Sequence, residues 1–252
     1  MKIAIISGAS AGLGQKLLEK AITNFPEIDE YWLISRNADK LNATASTYPD
    51  KVFNLLPLDL CVAQSFSTLS AELERKNPEV HLLINNAGCG FLNNVGDGPL
   101  DDQLSMVDLN VRALTAITHI ALPYIPSGGH IINISSIASF CPNPRMTVYS
   151  STKAYVSSFS RGLWDELKGR NISVTAVCSG PMDTEFIYKG NIKGKSKTFD
   201  ILPYCDPGKV AEGSIRAALK GRAVYTPRVF FKFYRVLSKL VPHAIMINAS
   251  RT

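Results

Sequence analysis

A tyrosine and a lysine stand four residues apart, as Tyr149 and Lys153, in the stretch VYSSTKAYV. This spacing of about one helical turn predicts that both side chains project from the same face of a helix. A phenol has a pKa of about 10, and a neighbouring ammonium favours the phenolate and so lowers that pKa. The pair therefore has the chemistry to pass a proton at neutral pH. The same spacing is also typical of ordinary polar pairs on helix surfaces.

A glycine-rich stretch, SGASAGLG, follows an apolar run near the N-terminus and precedes a segment of helical period. In that position Gly8 permits a sharp turn, Gly12 lets a pyrophosphate approach the backbone, and Gly14 allows close packing of the helix. The N-terminus of the helix offers free N–H groups and the positive end of its dipole to the phosphates. The stretch therefore predicts dinucleotide binding, with G-x-x-x-G-x-G spacing in place of the more common G-x-G-x-x-G.

Apolar runs predict the strands that must position these residues: 3–6, 31–34, 52–58, 81–84, 130–134, 173–177 and 223–225. The segments between them are mostly longer and have helical period. Strands that alternate with helices indicate right-handed βαβ units and a parallel sheet that is covered on both faces. Because no linker rich in Pro, Gly or Ser divides the chain, we expect a single α/β domain over residues 1–252.

Four motifs, in order and in register, resemble those of the short-chain dehydrogenase/reductase family. They are SGASAGLG at 7–14, NNAG at 85–88, NISS at 133–136 and the Y-x-x-x-K of Tyr149 and Lys153. The resemblance reaches about Thr184, roughly three quarters of the chain. It implies a Rossmann-type, doubly wound sheet of about seven parallel strands, with residues 1–135 mainly binding the dinucleotide. It also implies interconversion of alcohols and ketones with a nicotinamide cofactor, usually in homodimers or homotetramers.

Four residues acquire catalytic roles from this resemblance. Tyr149 would be the acid/base at the substrate oxygen, and Lys153 would also hydrogen-bond the ribose of the nicotinamide. Ser136, thirteen positions before Tyr149, would hold the substrate oxygen, while strand alternation directs the neighbouring Ser135 elsewhere. Asn110 would support a water-mediated proton relay to the lysine through a local distortion of its helix. Alternatively, Asn110 is an ordinary helical residue without a catalytic role, although Asn is a poor helix former.

An arginine at the end of the second strand, in WLISRN, indicates which cofactor binds. An acidic residue there would bind the ribose hydroxyls of NAD, whereas the guanidinium of Arg36 can pair with the 2′-phosphate of NADP(H). The other interpretation is a solvent-facing arginine. The resemblance implies further cofactor contacts at Gly8, Ser10, Gly12, Leu13, Gly14, Asp59, Leu60, Asn86, Ala87, Tyr149, Lys153, Gly180 and Thr184. Asn85 is expected instead to hold strands together.

The segment of residues 183–207 is longer than the loops that usually join packed elements, and long loops commonly carry function. We expect it to form a lid over the substrate, with Gly190 and Gly194 permitting hinge movement. Its apolar wall would comprise Phe186, Ile187, Tyr188 and Phe199. This wall favours a small hydrophobic ketone or alcohol as substrate, with hydroxysteroids and 3-oxoacyl groups as the first candidates.

The C-terminal segment, residues 227–247, predicts an amphipathic helix that ends near Pro242. One stripe would carry the cations Arg228, Lys232, Arg235 and Lys239. The opposite face would carry Phe230, Phe233, Tyr234, Leu237, Leu240 and Val241. Two interpretations remain open for this apolar face: it packs against the body of the protein or a partner subunit, or it lies on anionic lipid.

The composition narrows the class of protein. Five cysteines without a CxxC pair predict reduced thiols in a cytoplasmic protein, with peripheral membrane contact only if the C-terminal helix binds lipid. Four histidines without ligand spacing predict no metal site, and the net charge of +6 is not accompanied by a nucleic-acid-binding motif. The alternative to an enzyme is a non-catalytic NADP(H)-binding scaffold or redox-sensing regulator. Retention of both Tyr149 and Lys153 favours the enzyme.

Overall fold

The computed structural model describes residues 1–190, 192 and 194–249, with the side chains of Lys197, Phe199 and Ala249 outside the description. Seven strands form one parallel sheet in the order β3-β2-β1-β4-β5-β6-β7. The predicted doubly wound sheet is therefore confirmed. The strands are β1 (Lys2–Ser7), β2 (Glu30–Ile34), β3 (Val52–Leu56), β4 (Glu79–Asn85), β5 (His130–Ile134), β6 (Ser173–Val177) and β7 (Val224–Tyr225).

Helices occupy the segments between the strands. In the described part of the chain they are α1 (Gly12–Asn24), α2 (Ala38–Ser46), α3 (Ala63–Lys76), α4 (Leu100–Val107), α5 (Leu114–Ala121), α6 (Thr147–Glu166), α7 (Glu185–Lys189), α8 (Lys197–Ile201), α9 (Pro207–Leu219), α10 (Val229–Leu240) and α11 (His243–Ala249). A π-helical turn, Asp108–Ala113, joins α4 to α5. No helix among the described residues is long and apolar enough to cross a membrane.

Two apolar cores lie on opposite faces of the sheet, and strand alternation explains them. Along β1, Ala4 and Ile6 point into the core that contains residues of α1, α2 and α9. Ile3 and Ile5 point into the core that contains residues of α3, α5 and α6. Because side chains alternate across a strand, a continuous apolar run such as IAII is what a sheet buried on both faces requires.

The switch point of the sheet lies at β1, between β2 and β4, where the strand order reverses direction. In open α/β sheets, ligands bind beyond the carboxyl ends of the strands at this point. The predicted site segments follow the carboxyl ends of β1, β2, β4, β5 and β6 and therefore meet at one edge of the sheet.

The C-terminal segment differs from its prediction in one respect. Residues 227–247 form two helices rather than one, because α10 ends at Leu240 and α11 starts at His243. Val241 between them is extended, as expected for a residue that precedes proline. The predicted lid likewise contains two short helices, α7 and α8.

Candidate active site

The turn after β1 requires glycine at the predicted positions. Gly8 and Gly12 have φ angles of +66° and +54°, in the left-handed region that disfavours other residues. A Cβ atom on Gly14 would lie 2.0 Å from the carbonyl oxygen of Gly8, so the start of α1 packs directly against the turn. Gly8 and Gly14 thus meet the steric needs that the sequence predicted, and the approach of a pyrophosphate at Gly12 stays a prediction.

The N-terminus of α1 suits an anionic ligand. Its first residues receive no side-chain cap, and the N-cap residue Ala11 is extended. Thr184 stands opposite, with its Cβ 3.3 Å from where a Cβ on Gly12 would lie. Beside it opens a groove of about 520 Å³ lined by Asp183, Thr184, Glu185, Tyr188 and Lys189. Uncapped N–H groups at the positive end of a helix dipole fit a pyrophosphate.

Asn86 holds the glycine-rich turn rather than reaching outward. Its Nδ2 donates to the carbonyl oxygens of Ser7 and Gly8, at 3.1 and 3.0 Å. The Ser7 hydroxyl accepts from the backbone N–H groups of Asn86 and Ala87, both at 3.1 Å. Sequence reasoning missed Ser7, whose only signal is its position between a strand and a glycine. Asn86 and Ala87 thus fix where the turn lies.

Asn85 ties elements together, as predicted. Its Nδ2 donates to Asn133 Oδ1 of β5 at 2.9 Å and to Thr118 Oγ1 of α5 at 3.0 Å. All three residues are buried. The amide therefore holds β4 against β5 and α5, which is a structural role.

The end of β2 presents a cation to the same edge of the sheet. Arg36 is exposed, and no carboxylate whose side chain is described forms an ion pair with it. The hydroxyls of Ser10 and Ser35 lie 2.7 Å apart, so the glycine-rich turn sits beside the end of β2. One turn into α2, Lys40 forms an ion pair with Glu185 of α7 at 2.9 Å.

Neighbouring residues fix the side-chain positions of three predicted cofactor contacts, Leu13, Leu60 and Asp59. The side chains of Leu13 and Leu60 are buried in the two cores and are therefore not available to a ligand at the surface. The Asp59 carboxylate accepts from the backbone N–H of Cys61 at 2.9 Å, which fixes its orientation.

Tyr149, Lys153 and Ser136 meet at the base of the site. Helix α6 buries both Tyr149 and Lys153, which are 7% and 5% exposed. The Lys153 ammonium donates to the carbonyl oxygen of Ile134 at 2.9 Å and lies 5.7 Å from the centroid of the Tyr149 ring. The side chain of Ser136 lies near the Tyr149 hydroxyl and favours its ionised form. The helical spacing thus brings together a proton donor, a cation and a hydroxyl.

Ser135 points away from this group, as strand alternation predicted. Its hydroxyl donates to the carbonyl oxygen of Lys153 at 2.8 Å and lies 2.8 Å from the hydroxyl of Ser157. Ser135 therefore anchors α6 to β5, whereas Ser136 faces the site.

The protonation of the pair differs from the prediction that the ammonium lowers the pKa of the phenol. Burial raises the pKa of Tyr149 to about 12, against the opposing effect of the nearby Ser136 side chain. Burial also lowers the pKa of Lys153 to about 8. Desolvation disfavours the charged form of each group, and the ammonium donates to Ile134 rather than to the phenol. The phenol is therefore a proton donor at neutral pH.

Asn110 lies within the π-helical turn, so the predicted distortion is confirmed. Its side chain donates to Thr152 Oγ1 at 3.0 Å and to the Cys89 carbonyl at 2.9 Å, and it accepts from the Cys89 N–H at 3.0 Å. A Cβ on Gly88 would lie 2.9 Å from Asn110 Oδ1 and 3.4 Å from Lys153 Nζ. Asn110 therefore joins the loop after β4 to α6, and Gly88 leaves room between it and the lysine.

The predicted lid packs directly on Tyr149. The ring of Phe186 lies 5.8 Å from that of Tyr149, centroid to centroid, and Ile187 is fully buried. A Cβ on Gly90 would lie 2.7 Å from the Phe186 ring, so the loop after β4 closes against both rings. The surrounding apolar cluster also contains Leu92, Met106, Met146, Ile192 and Tyr204. The site is thus enclosed by apolar side chains.

Other parts of the lid prediction have different outcomes. Tyr188 is exposed and its hydroxyl donates to Asp183, so its assignment to the apolar wall is wrong. The side chain of Phe199 lies outside the described residues. A Cβ on Gly190 would lie 2.1 Å from the carbonyl oxygen of Gly90, so this glycine permits close packing of the lid. Gly194 has a φ of +74°, and its hinge role stays a prediction.

Helix α10 reaches the site through a residue that the sequence reasoning missed. Phe231 is fully buried, and a Cβ on Gly180 would lie 2.3 Å from its ring. Tyr234, on the same inner face, pairs with Phe140 of the segment after β5, with ring centroids 6.0 Å apart. Only a glycine at position 180 leaves space for Phe231, and this space determines which face of α10 turns inward.

The predicted faces of α10 therefore need correction. Phe230, Phe233 and Leu240 were assigned to the apolar face, and all three are exposed in the single chain, so these side chains do not pack against the body of the protein. Arg235, assigned to the solvated cationic stripe, is half-buried and its guanidinium donates to Thr226 Oγ1 at 3.4 Å. The inner face is rotated from its predicted direction because Phe231 fills the space above Gly180.

Comparison with known proteins agrees with this geometry. Residues 2–192 match the short chain dehydrogenase family. An uncharacterized oxidoreductase of Staphylococcus aureus strain N315 is 29% identical over 225 residues, which cover 88% of this chain and 93% of that protein. A short-chain dehydrogenase from Sphingobium yanoikuyae in complex with NADPH has a TM-score of 0.79 at 23% identity, covering 97% of this chain and 98% of its own. A 4-hydroxyisoleucine dehydrogenase complexed with NADH has a TM-score of 0.74 at 18% identity, and the match covers 90% of this chain and 96% of that protein.

Proposed function

The chain belongs to the short-chain dehydrogenase family, and on that basis we propose that it is an NADP(H)-dependent oxidoreductase that interconverts a secondary alcohol and a ketone. The observation that carries the proposal is the group of Tyr149, Lys153 and Ser136 beneath an apolar lid, in which the tyrosine and the lysine are buried. The glycine-rich turn and the uncapped start of α1 lie at the same edge of the sheet.

NADP(H), when bound, supplies or accepts the hydride. In ketone reduction the Tyr149 hydroxyl gives its proton to the substrate oxygen, and in alcohol oxidation the Tyr149 phenolate takes the proton of the substrate hydroxyl. The Ser136 hydroxyl holds the substrate oxygen beside Tyr149. The Lys153 ammonium stabilises the phenolate as it forms and would also hydrogen-bond the nicotinamide ribose. Asn110, in its π-helical turn, supports the path by which a proton returns to the lysine.

The cofactor would be held by backbone groups near its phosphates and by side chains at its two ends. Ser10 and the turn of Gly8, Gly12 and Gly14 would bind the pyrophosphate, with the backbone of Leu13 at the helix start. Asp59 and the backbone of Leu60 would contact the adenine, while Ala87, Gly180 and Thr184 would contact the nicotinamide half. The exposed Arg36, without an acidic partner among the described side chains, would bind the 2′-phosphate.

We predict that Arg36→Asp shifts the ratio of kcat/KM for NADPH over NADH toward NADH by about 100-fold. The substitution removes a charge-assisted hydrogen bond of about 1.5–3 kcal/mol and adds a carboxylate that repels the 2′-phosphate. Initial rates with each cofactor and one ketone measure the ratio. Arg161→Asp makes the same charge change at another exposed arginine and should leave the ratio unchanged. An unaltered ratio in Arg36→Asp would show that Arg36 does not select the cofactor.

The substrate would be a small hydrophobic ketone or its alcohol, because the cluster around Tyr149 is apolar. Hydroxysteroids and 3-oxoacyl groups remain the first candidates. The test is purified protein with NADPH and a panel of steroid, 3-oxoacyl and sugar ketones, followed at the nicotinamide absorbance. Turnover of the apolar ketones is the expected result. A protein that binds NADPH in a separate titration but turns over none of the ketones would support the non-catalytic scaffold.

A homodimer or homotetramer is supported by an apolar stripe on α4. Leu100, Leu104 and Val107 recur at helical spacing and are all exposed in the single chain. We predict that Leu104→Glu lowers the mass measured by light scattering to that of the monomer, because a buried unpaired carboxylate disfavours the contact. Leu219→Glu, at a similarly exposed leucine of α9, is the control. A wild-type protein that is already monomeric would contradict this assignment.

The location of the protein is inferred from its thiols. The five cysteines all lie among the described residues and form no disulfide there, and three of them are buried. Cysteines without disulfides are typical of a reducing compartment, which supports the cytoplasmic assignment.

A further inference from the structure

The net positive charge of the chain arises at its C-terminal end. The last 40 residues contain eight Lys or Arg and no Asp or Glu. The preceding 212 residues contain 19 basic and 21 acidic side chains, so the whole excess of +6 arises after Glu212. Such segregation is unusual for a solubilising surface, in which charges of both signs alternate. It indicates that this end of the protein faces an anionic partner.

The outer face of α10 adds an exposed apolar stripe to this charge. Val229, Phe233, Val236 and Leu240 recur at intervals of four, three and four residues and are all more than half exposed. Phe230 lies beside them and is 54% exposed, while Phe233 is 65% exposed. Two bulky aromatic side chains on one exposed helix face indicate that another surface covers them.

Cations border this stripe rather than lying opposite it. Lys232 and Lys239 are exposed, and each lies one helical turn from Val236 on the side away from Phe230. Both rows, apolar and cationic, therefore face the same exterior. This arrangement is typical of helices that lie in a membrane interface, with aromatic side chains inserted and lysines at the headgroups.

From these observations we propose that the outer face of α10 docks on an anionic lipid surface. A second copy of the chain is the weaker occupant, because an isologous contact would place the cationic row of one α10 next to that of the other. The apolar stripe on α4 already offers a face of acidic or neutral character for a second copy. An anionic bilayer can bury the apolar stripe and pair with the cations at the same time.

The inner face of α10 links this surface to the site. Phe231 packs on Gly180 and Tyr234 pairs with Phe140, so the helix lies against the segments that follow β5 and β6. Arg228, at the N-cap of α10, donates to the carbonyl oxygen of Tyr204 at the end of the lid. A docked helix would therefore hold the lid beside the lipid, where an apolar substrate dissolves. This consequence rests on the proposed oxidoreductase function, whereas docking itself does not.

The test is co-sedimentation of the whole 252-residue chain with vesicles at low salt. Wild-type protein should sediment with vesicles of phosphatidylcholine and phosphatidylglycerol in equal parts and remain in solution with phosphatidylcholine alone. Phe230→Ser combined with Phe233→Ser should lower the partition coefficient about 100-fold, since each aromatic side chain contributes about tenfold when it leaves water. Lys232→Ser combined with Lys239→Ser should weaken binding and reduce its dependence on salt.

A matched control removes two apolar side chains at the far edge of the sheet. Val52→Ser combined with Val62→Ser changes residues that are 60% and 49% exposed, and it should leave vesicle binding unchanged. Wild-type protein that ignores anionic vesicles at low salt would overturn the proposal. Loss of oligomer mass in the double phenylalanine variant, without vesicle binding by the wild type, would identify a second copy as the occupant. NADPH-dependent turnover of a water-soluble ketone, measured without vesicles, separates failure of docking from failure of the proposed function.

Discussion

Replacing Tyr149 by Phe is expected to lower kcat/KM for ketone reduction by about 10³-fold, because the substitution removes the proton donor. The ring remains, and with it the packing against Phe186 and the position beside Lys153. We therefore expect the Kd for NADPH to change little and the free energy of unfolding to change by about 1 kcal/mol, the usual contribution of one hydrogen bond. Steady-state kinetics, a cofactor titration and denaturant unfolding measure the three quantities.

Tyr155→Phe is the matched control, since Tyr155 lies on the same helix. Its ring stacks on Phe159 with centroids 5.8 Å apart, and its hydroxyl lies 2.9 Å from that of Thr115. Removing this hydroxyl should leave kcat/KM unchanged. If Tyr149→Phe retained wild-type activity as well, the proton would come from another group and the proposed mechanism would fail.

The parts of the site that were predictable from sequence are those fixed by local sterics. Gly8 and Gly12 adopt positive φ angles, and Gly14 leaves space for a carbonyl oxygen, so the residue type itself records the geometry. The separation of Ser135 from Ser136 follows from strand alternation, and the shared face of Tyr149 and Lys153 follows from helical period. In each case neighbours in the chain determine the result.

The inner face of α10 was not predictable in this way. Phe230, Phe231 and Phe233 all lie within one helical turn, and their period is compatible with more than one buried face. The choice depends on the space above Gly180, which lies about fifty residues earlier in the chain. Only the folded structure shows that the ring of Phe231 fills this space.

An ion pair between residues far apart in the chain could not be predicted from the sequence either. Glu185 of the lid bonds both Lys40 of α2 and Lys189 of α7, and these hydrogen bonds lower its pKa to about 2. Its separation from Lys40 is 145 residues, for which no periodic signal exists. The protonation state of Tyr149 was not predictable from the sequence either. It depends on how completely the lid and the loop after β4 exclude water from the phenol.

The burial of Lys153 has a consequence for stability as well as for catalysis. Its pKa is lowered from 10.5 to about 8 in the folded protein. Between these two pH values the unfolded chain binds a proton that the folded chain does not, so this group makes the free energy of unfolding rise with pH there. Below about pH 8 Lys153 is protonated in both the folded and the unfolded chain. The cost of burying its charge, on the order of 3 kcal/mol, then lowers the free energy of unfolding in full.

Lys153→Met is therefore expected to raise the free energy of unfolding at neutral pH while abolishing most of the activity. Methionine fills the buried space without a charge, and loss of the hydrogen bond to Ile134 offsets about 1 kcal/mol of the gain. The gain should diminish as the pH rises from about 8 toward 10.5, because the wild-type lysine becomes neutral in the folded state over that range. Denaturant unfolding of both proteins across this range measures the effect.

Lys168→Met is the control for this last prediction, because Lys168 is exposed and pairs with Asp165 at the surface. Surface ion pairs contribute about 0–1 kcal/mol, so its substitution should change stability little and without the same dependence on pH. A Lys153→Met protein that is less stable than the wild type at neutral pH would show that the ammonium is well solvated or paired in the folded state. In that case Lys153 would retain its ordinary pKa in the folded protein. Its ammonium would then stabilise the Tyr149 phenolate from a solvated position rather than from one shielded from water.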